Sequence, residues 1–397
     1  MLAVLLSLCL ALFLADGVVS LLDDSLILFL GVRPLTALRG LVFFLAVLAA
    51  LAVYVLIAFV PMIPKRFFLP ITLFNPVAGL AFIPLLIYCY DRLQLVTWVI
   101  SVIQAGLGFW MLHRLRGGIK VGWPLFPVHR LGIRGFSWGN LSVFAAVNIF
   151  LIPPVVVLYL VFCLALGVDH LSDGFLKLRP DGLTVQVRKY VRADGKSVQL
   201  FPMSHIGDAV FYRALGESFP TNSVILMEGV TDEQNLLTNK ISYKRAAKSL
   251  GLSEQQKEFE PRGEIVSADV DVEAFHTNTI GFMNMVMRIH AKGLRPEYLM
   301  ELLQYTPPPH FEHQVIEDLL IKRNQHLLAE IDSHLPSSDH LIVPWGAAHM
   351  PGIAQGVLSS GFRLDQTENH VVIRFRSTGS DGKIAEKPAD ESKATRE

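Results

Sequence analysis

Apolar residues run in long unbroken blocks through the first part of the chain and alternate with polar residues through the rest. Four blocks carry no charge: Leu41–Ile63, Phe67–Tyr90, Leu93–Leu112 and Leu141–Val168. Each is long enough to cross a hydrocarbon core of about 30 Å, which takes roughly 20 helical residues. Backbone in lipid must satisfy its own hydrogen bonds, so these blocks are expected as membrane helices, the last kinked at Pro153-Pro154. A further apolar stretch, Met1–Ala15, continues past Asp16 to Leu22. Its start has no basic residue, so a retained fifth helix is expected over a signal-like segment.

After residue 170 the periodicity shortens. Alternation over Leu183–Tyr190, the turn Ala193-Asp194-Gly195-Lys196 and the apolar Val198–Phe201 predict a β-hairpin. Strands are expected at Ser223–Gly229, Glu264–Val272, Leu341–Val343 and Val371–Arg376. Helices are expected at Asp208–Ser218, Ile241–Leu250 (capped by Gly251), Phe275–Lys292, Phe311–Leu335 and Pro351–Ser360. Strands alternating with helices indicate an α/β domain. The expected organisation is an α-helical membrane domain of four to five spans over 1–170, an α/β domain over 171–376 and a disordered tail over 377–397.

Charge separates the same two halves. Ten of the 35 Lys and Arg and five of the 35 Asp and Glu precede residue 171. Lys65, Arg66, Arg114, Arg116, Lys120, Arg130 and Arg134 fall in loops on one side of the membrane, against Arg33, Arg39 and Arg92 on the other. The basic side is expected to be cytoplasmic, which puts the α/β half outside the cytoplasm. Trp123, Phe126, Phe136 and Trp138, interleaved with the basic residues of His113–Asn140, suit contact with lipid headgroups. A net charge of zero gives no argument for a nucleic-acid partner. All three cysteines lie in the apolar half, so the polar half has no Cys-based zinc site.

No GxGxxG, P-loop, GxSxG or HExxH pattern occurs. His310-Phe311-Glu312-His313 resembles a metal cluster but opens a helix after three prolines, where exposed polar side chains are ordinary. Sites in α/β domains gather beyond strand C-termini. His205, Glu228, Asp269, Asp271 and His349 each follow an apolar strand. His205, His349, Glu228 and Asp271 form a hard nitrogen and oxygen donor set suited to Zn²⁺, Mn²⁺, Co²⁺ or Fe²⁺; a structural role for each histidine is the alternative.

The polar half resembles the TraB/PrgY/TIKI family over roughly Leu183–Arg376. Gly346-Ala347-Ala348-His349-Met350-Pro351-Gly352 is similar to the family's second GxxH motif and following helix. Glu228 in VILMEG matches its strand-end acid, and Arg323-Asn324 its basic-Asn pair on a long helix. Ala268-Asp269-Val270-Asp271 is similar to an Asp-Arg-Asp stretch, with Val270 in place of the Arg. His205 stands where the first GxxH histidine belongs, but Pro202 replaces the Gly. The resemblance implies a TIKI-type fold, related to erythromycin-esterase-like and ChaN-like proteins. It also implies metal-dependent hydrolysis, of a peptide in some animal members.

On that reading His205 and His349 bind a Mn, Co or Zn ion, with Glu228 as ligand or general base and Asp271 as a weaker ligand. Arg323 would steady the oxyanion and Asn324 would orient substrate or a ligand. The rival is a non-catalytic protein that binds a peptide, haem or metal in the same pocket. A transporter is a third reading, with little support from the nearly uncharged runs. The lipid bilayer is the expected partner; the oligomeric state is open.

Overall fold

The computed structural model of the chain describes residues 1–118, 122–132, 135–238, 242–293 and 295–375. The tail expected from residue 377 lies outside these, as do Lys120, Arg134, Ile241 and Arg376. The chain divides into two compact units, Met1–Leu171 and Ser172–Glu397.

The first unit contains, among the described residues, five helices long and apolar enough to cross a membrane. They are α1 (Leu2–Leu30), α2 (Thr36–Phe59), α3 (Lys65–Tyr88), α4 (Leu93–Arg116) and α5 (Trp138–Leu171). The first continues well past Leu22, ending at Gly31 in the left-handed conformation that glycine tolerates best. It is also the most enclosed of the five. Leu6, Cys9, Leu10 and Phe13 on α1 pack with Val53 and Ile57 of α2, Phe68 of α3 and Met111 and Leu112 of α4. Large apolar residues such as Leu41, Phe44, Phe150 and Leu158 remain exposed on the outside of the bundle, as suits a surface solvated by lipid tails.

At Pro153-Pro154 the fifth helix does not break. It takes a π-turn over Val147–Leu151, one turn upstream, where proline rings would otherwise press on carbonyls four residues back. Asn148 in that turn donates to the Phe144 carbonyl and accepts from the Tyr54 hydroxyl. The aromatic loop before α5 is mixed in character. Trp123, Phe136 and Trp138 are exposed, whereas Phe126 is fully buried against Phe68 and its N–H donates to Ser7 Oγ.

The second unit is built on a mixed sheet. Its strands are β1 (Leu176–Arg179), β2 (Gly182–Val191), β3 (Ser197–Met203), β5 (Val224–Met227), β7 (Glu264–Ser267), β8 (His340–Gly346) and β9 (Arg363–Arg374). Two short strands, β4 (Ile206–Gly207) and β6 (Ser253–Glu254), pair separately. The main sheet runs β9, β2, β3, β8, β5, β7, with β1 sharing the β3 edge of β2. The pairs β3–β8, β8–β5 and β5–β7 are parallel, so four strands deliver their C-termini to one edge.

Helices cover both faces. Leu341, Val343 and Trp345 of β8 pack with Leu327, Ile331, Ile353 and Val357. Ile342, between them, packs with Phe211, Tyr212 and Leu215 on the opposite face. That two-sided burial is why the central strands read as continuous apolar runs. The longer helices are α6 (Ala209–Ser218), α7 (Lys244–Leu250), α8 (Thr277–Lys292), α9 (Pro296–Gln304), α10 (311–334) and α11 (Met350–Ser359), with a single turn at Gln255–Glu258 between α7 and α8. Within α10, Glu317–Lys322 form a second π-turn, immediately before Arg323.

Several strands differ from expectation. β9 begins at Arg363, eight residues before the predicted Val371, because its first part (RLDQTENH) is an exposed, polar edge. The strand expected over Glu264–Val272 stops at Ser267, and its last residue, Val272, opens a short 3₁₀ turn, Val272–Ala274. β1 and α9 were not expected.

Gly263 fixes where β7 starts. Its φ is +126°, and a Cβ there would lie 2.6 Å from the Ser223 carbonyl oxygen, the acceptor for the Glu264 N–H. Gly263→Ala is expected to push β7 from β5 and destabilise this unit by about 1–3 kcal/mol, as overpacking does. Thermal unfolding of the full chain, followed by tryptophan fluorescence, checks this.

Candidate functional site

Side chains from three strand ends and one helix meet at the shared edge. Glu228 follows β5, Asp269 follows β7 by two residues, and His349 follows β8 by three. Arg323, in the first turn after the π-turn of α10, reaches into the middle of them.

Arg323 Nε donates to Asp269 Oδ1 (2.9 Å), and Nη2 donates to Asp269 Oδ2 (2.6 Å) and Glu228 Oε1 (2.8 Å). Its Nη1 donates to His349 Nε2 (3.1 Å) and, at 3.4 Å, to the Leu319 carbonyl. The two-pronged contact with Asp269 uses the fork geometry that lysine lacks. Burial works against the Arg323 charge, but Asp269 and Glu228 outweigh it and hold the pKa above its ordinary value. All the guanidinium N–H directions are thereby engaged.

His349 is held from both sides. Its Nδ1–H donates to Asn324 Oδ1 at 2.7 Å, leaving Nε2 with the lone pair that faces Arg323. The ring also stands edge-on to Trp345, with centroids 5.2 Å apart. Burial first, and then the neighbouring Arg323 charge, push its pKa down to about 4, against the partial opposition of Glu228 and Asp269. His349 is therefore a neutral imidazole near pH 7.

The glycines of Gly346-Ala347-Ala348-His349-Met350-Pro351-Gly352 gain a physical reason. The Gly346 N–H donates to Glu228 Oε2, and a Cβ on Gly346 would sit 3.2 Å from that oxygen. A Cβ on Gly352 would sit 2.5 Å from the Asn324 amide nitrogen. One glycine admits the carboxylate and the other admits the amide that orients His349. By spacing from its histidine the counterpart of Gly346 is Pro202, which has no N–H to offer a carboxylate; in the sheet Pro202 pairs with Trp345, and Met203 with Gly346.

His205 lies in a second, outer group. It is exposed, and its ring stacks on Tyr243 at 4.8 Å with a 14° interplanar angle. The Tyr243 ring is in turn 5.8 Å from that of His290. Burial first, and then the Glu228 charge, raise the Tyr243 pKa. Asp271 serves its own loop instead. It accepts from the Thr231 hydroxyl and from the N–H groups of Glu233 and Glu273, and these bonds lower its pKa.

The structure thus brings Glu228, Arg323, Asn324 and His349 together, adds Asp269, and leaves His205 and Asp271 out of the inner cluster. Asp269 was signalled by its place two residues after β7. Tyr243 lies just before α7, where no pattern marks it, and Trp345 reads in sequence only as core.

The donors can be tested against a metal. His349 Nε2 and Glu228 Oε1 are 3.6 Å apart, a fitting separation for two ligands at roughly 2.1 Å from one ion. Both, however, face the Arg323 guanidinium, which occupies the place a cation would take. With Arg323 in position this set does not fit a divalent ion, and no group of three or more His, Cys, Asp or Glu placed to hold one occurs among the described residues.

Stability should report on the neutral His349. Its folded pKa, about 4, lies below the ordinary 6.5, so between those values the unfolded chain binds a proton that the folded chain refuses. Stability is therefore expected to fall as pH drops from about 6.5 to about 4, with this contribution flat above that window. Unfolding temperatures of wild type and His349→Gln across pH 4–8 check it: the variant should lose this part of the acid slope.

No protein-family model, curated protein or solved structure matches the chain.

Proposed function

We propose that the α/β unit is a TIKI-like hydrolase that departs from the metal dependence the resemblance implies, displayed on the extracytoplasmic side by its membrane helices and acting on a peptide. The observation that carries this reading is the asymmetry of the two carboxylates on Arg323. Asp269 has a side chain with 0% exposure, while Glu228 retains 18%. Asp269 fixes the guanidinium; Glu228 is the one a water can approach.

Glu228 takes a proton from the attacking water as its oxygen adds to the scissile carbonyl carbon. It then returns the proton to the leaving nitrogen as the C–N bond breaks. Arg323 contributes charge and position; its N–H groups are committed, so donors to the oxyanion come from elsewhere. On this reading the hydroxyl of Tyr243 and the exposed ring of His205 stacked on it contact the substrate. His349, neutral and oriented by Asn324, keeps Arg323 and Glu228 in register.

Two variants of this reading rest on particular observations. The 3.6 Å spacing of His349 Nε2 and Glu228 Oε1 favours a Mn, Co or Zn ion if Arg323 withdraws. The full engagement of Arg323 favours a pocket that binds a peptide without turnover.

One experiment separates them: the full chain in detergent, a peptide mixture, and chelator or each metal in turn. Wild type is expected to cleave with chelator present, and Glu228→Gln, assayed below its own lowered unfolding temperature because it also loses the ion pair with Arg323, to slow cleavage by roughly 10²–10⁴-fold. Cleavage that depends on added metal would transfer the chemistry to an ion. Unimpaired cleavage by Glu228→Gln would remove this site from the reaction, and absence of cleavage in every condition would leave the binding protein.

The orientation is tested separately. The basic residues Lys65, Arg66, Arg114, Arg116 and Arg130 predict that a reporter inserted near Gly118 is active in the cytoplasm and one fused after Ser377 outside it. The reverse pattern would sink an extracytoplasmic substrate.

A further inference from the structure

The membrane unit contains a polar seam. α1 places Asp16, Ser20, Asp23 and Asp24 on one flank, all buried, at the three- and four-residue spacings that share a helix face. Opposite them α4 presents Gln94, Thr97, Ser101 and Gln104 at the same spacings. The helices meet closely: a Cβ on Gly17 would lie 2.9 Å from the Ala105 backbone nitrogen.

One end of the seam is electrostatically closed. Asp24 accepts from Arg39 (2.6 Å), Ser101 (2.6 Å), Gln94 (3.2 Å) and Thr97 (3.4 Å). Asp23 accepts from Thr36 at 3.4 Å and Arg39 at 3.5 Å. The Arg39 side chain is 30% exposed, so the seam opens at that end.

Asp16 is different. It lies eight residues before Asp24, about 12 Å along the helix axis, and is 1% exposed. Its Oδ2 accepts from Gln104 Nε2 at 2.7 Å. Among the described residues its Oδ1 is buried with no hydrogen-bond partner and no basic side chain forms an ion pair with it, Arg39 acting on it only from a distance. A carboxylate so placed is expensive in a membrane and marks function by default.

We propose that Asp16 is the anionic ligand of a small monovalent metal cation, sodium in kind, bound in the α1–α4 seam. The donors at hand are hard oxygens: Asp16 Oδ1 and the buried Ser20 hydroxyl, one turn on along the same face of α1. A proton is the competing occupant, since the Ser20 hydroxyl oxygen can accept from an O–H at Oδ1, and the response of the unfolding temperature to pH tells the two apart. A divalent ion asks for more carboxylate charge than Asp16 supplies, and the Asp24 oxygens are already taken. The four uncharged runs concealed this seam, because its acids all lie on the one helix that those runs leave out.

The test uses the full chain in lipid nanodiscs and ²²Na⁺ as the probe. Wild type is expected to bind sodium saturably, without displacement by choline. Asp16→Asn should reduce bound sodium at least tenfold. Ser20→Ala, which spares the carboxyl, should weaken the apparent affinity severalfold while leaving the unfolding temperature in choline unchanged, and so holds even if Asp16→Asn folds poorly. Absence of saturable binding in wild type, or its retention in Asp16→Asn, overturns the proposal. So does a wild type that binds no sodium but whose unfolding temperature shifts with pH through Asp16, which would assign the site to a proton.

Discussion

The α/β unit depends on one guanidinium. Arg323 ties Asp269 and Glu228, which leave adjacent parallel strands, to the helix that covers the sheet. Removing one partner of a buried ion pair leaves the others uncompensated, at a cost of about 3–5 kcal/mol. The surrounding features are arranged to keep that guanidinium in place. Gly346 provides the N–H that fixes the second oxygen of Glu228, Asn324 orients His349, and the Trp345 ring lies within 5.5 Å of the Arg323 guanidinium carbon. Charge there is mostly internal, and its most accessible part is Glu228.

Much of this edge could be read in the sequence, because parallel strands end abruptly. The apolar run VILM stops at Glu228 and LIVPW stops at Gly346, so the first polar groups after them were conspicuous. The distinction between Asp269 and Asp271 was not. Both follow the same strand, and which of them faces inward depends on a bend after Ser267 that pattern alone does not set. His205 shows a similar limit: its position after β3 is legible, whereas its stacking on Tyr243 joins segments far apart in the chain. The polar half of β9 was missed because an edge strand needs no apolar alternation, only a partner such as β2.

In the membrane unit, hydropathy identified the outer helices well and undervalued the inner one. A helix wrapped by others does not have to be apolar all round, since its polar residues find partners within the bundle. Asp16, Asp23 and Asp24 made α1 look like the weakest span. They are the reason it sits where Arg39, Ser101 and Gln104 can reach it.

The π-turn at Glu317–Lys322 sets the phase of α10. Upstream of Arg323, the fully buried Asp318 accepts from the backbone N–H and ring Nδ1 of His276 and from Lys322; downstream, Leu327 and Ile331 are fixed in the core. An ordinary α-turn advances about 100° per residue, and the wider π-turn absorbs one extra residue between these two anchors. Loss of a single residue from this turn would restore a regular helix but rotate one anchor away from its partners. The helix would then keep either the Asp318–His276 contact or Arg323 at the strand ends. Chain length within those six residues is therefore as strict a requirement of the site as the identity of Arg323.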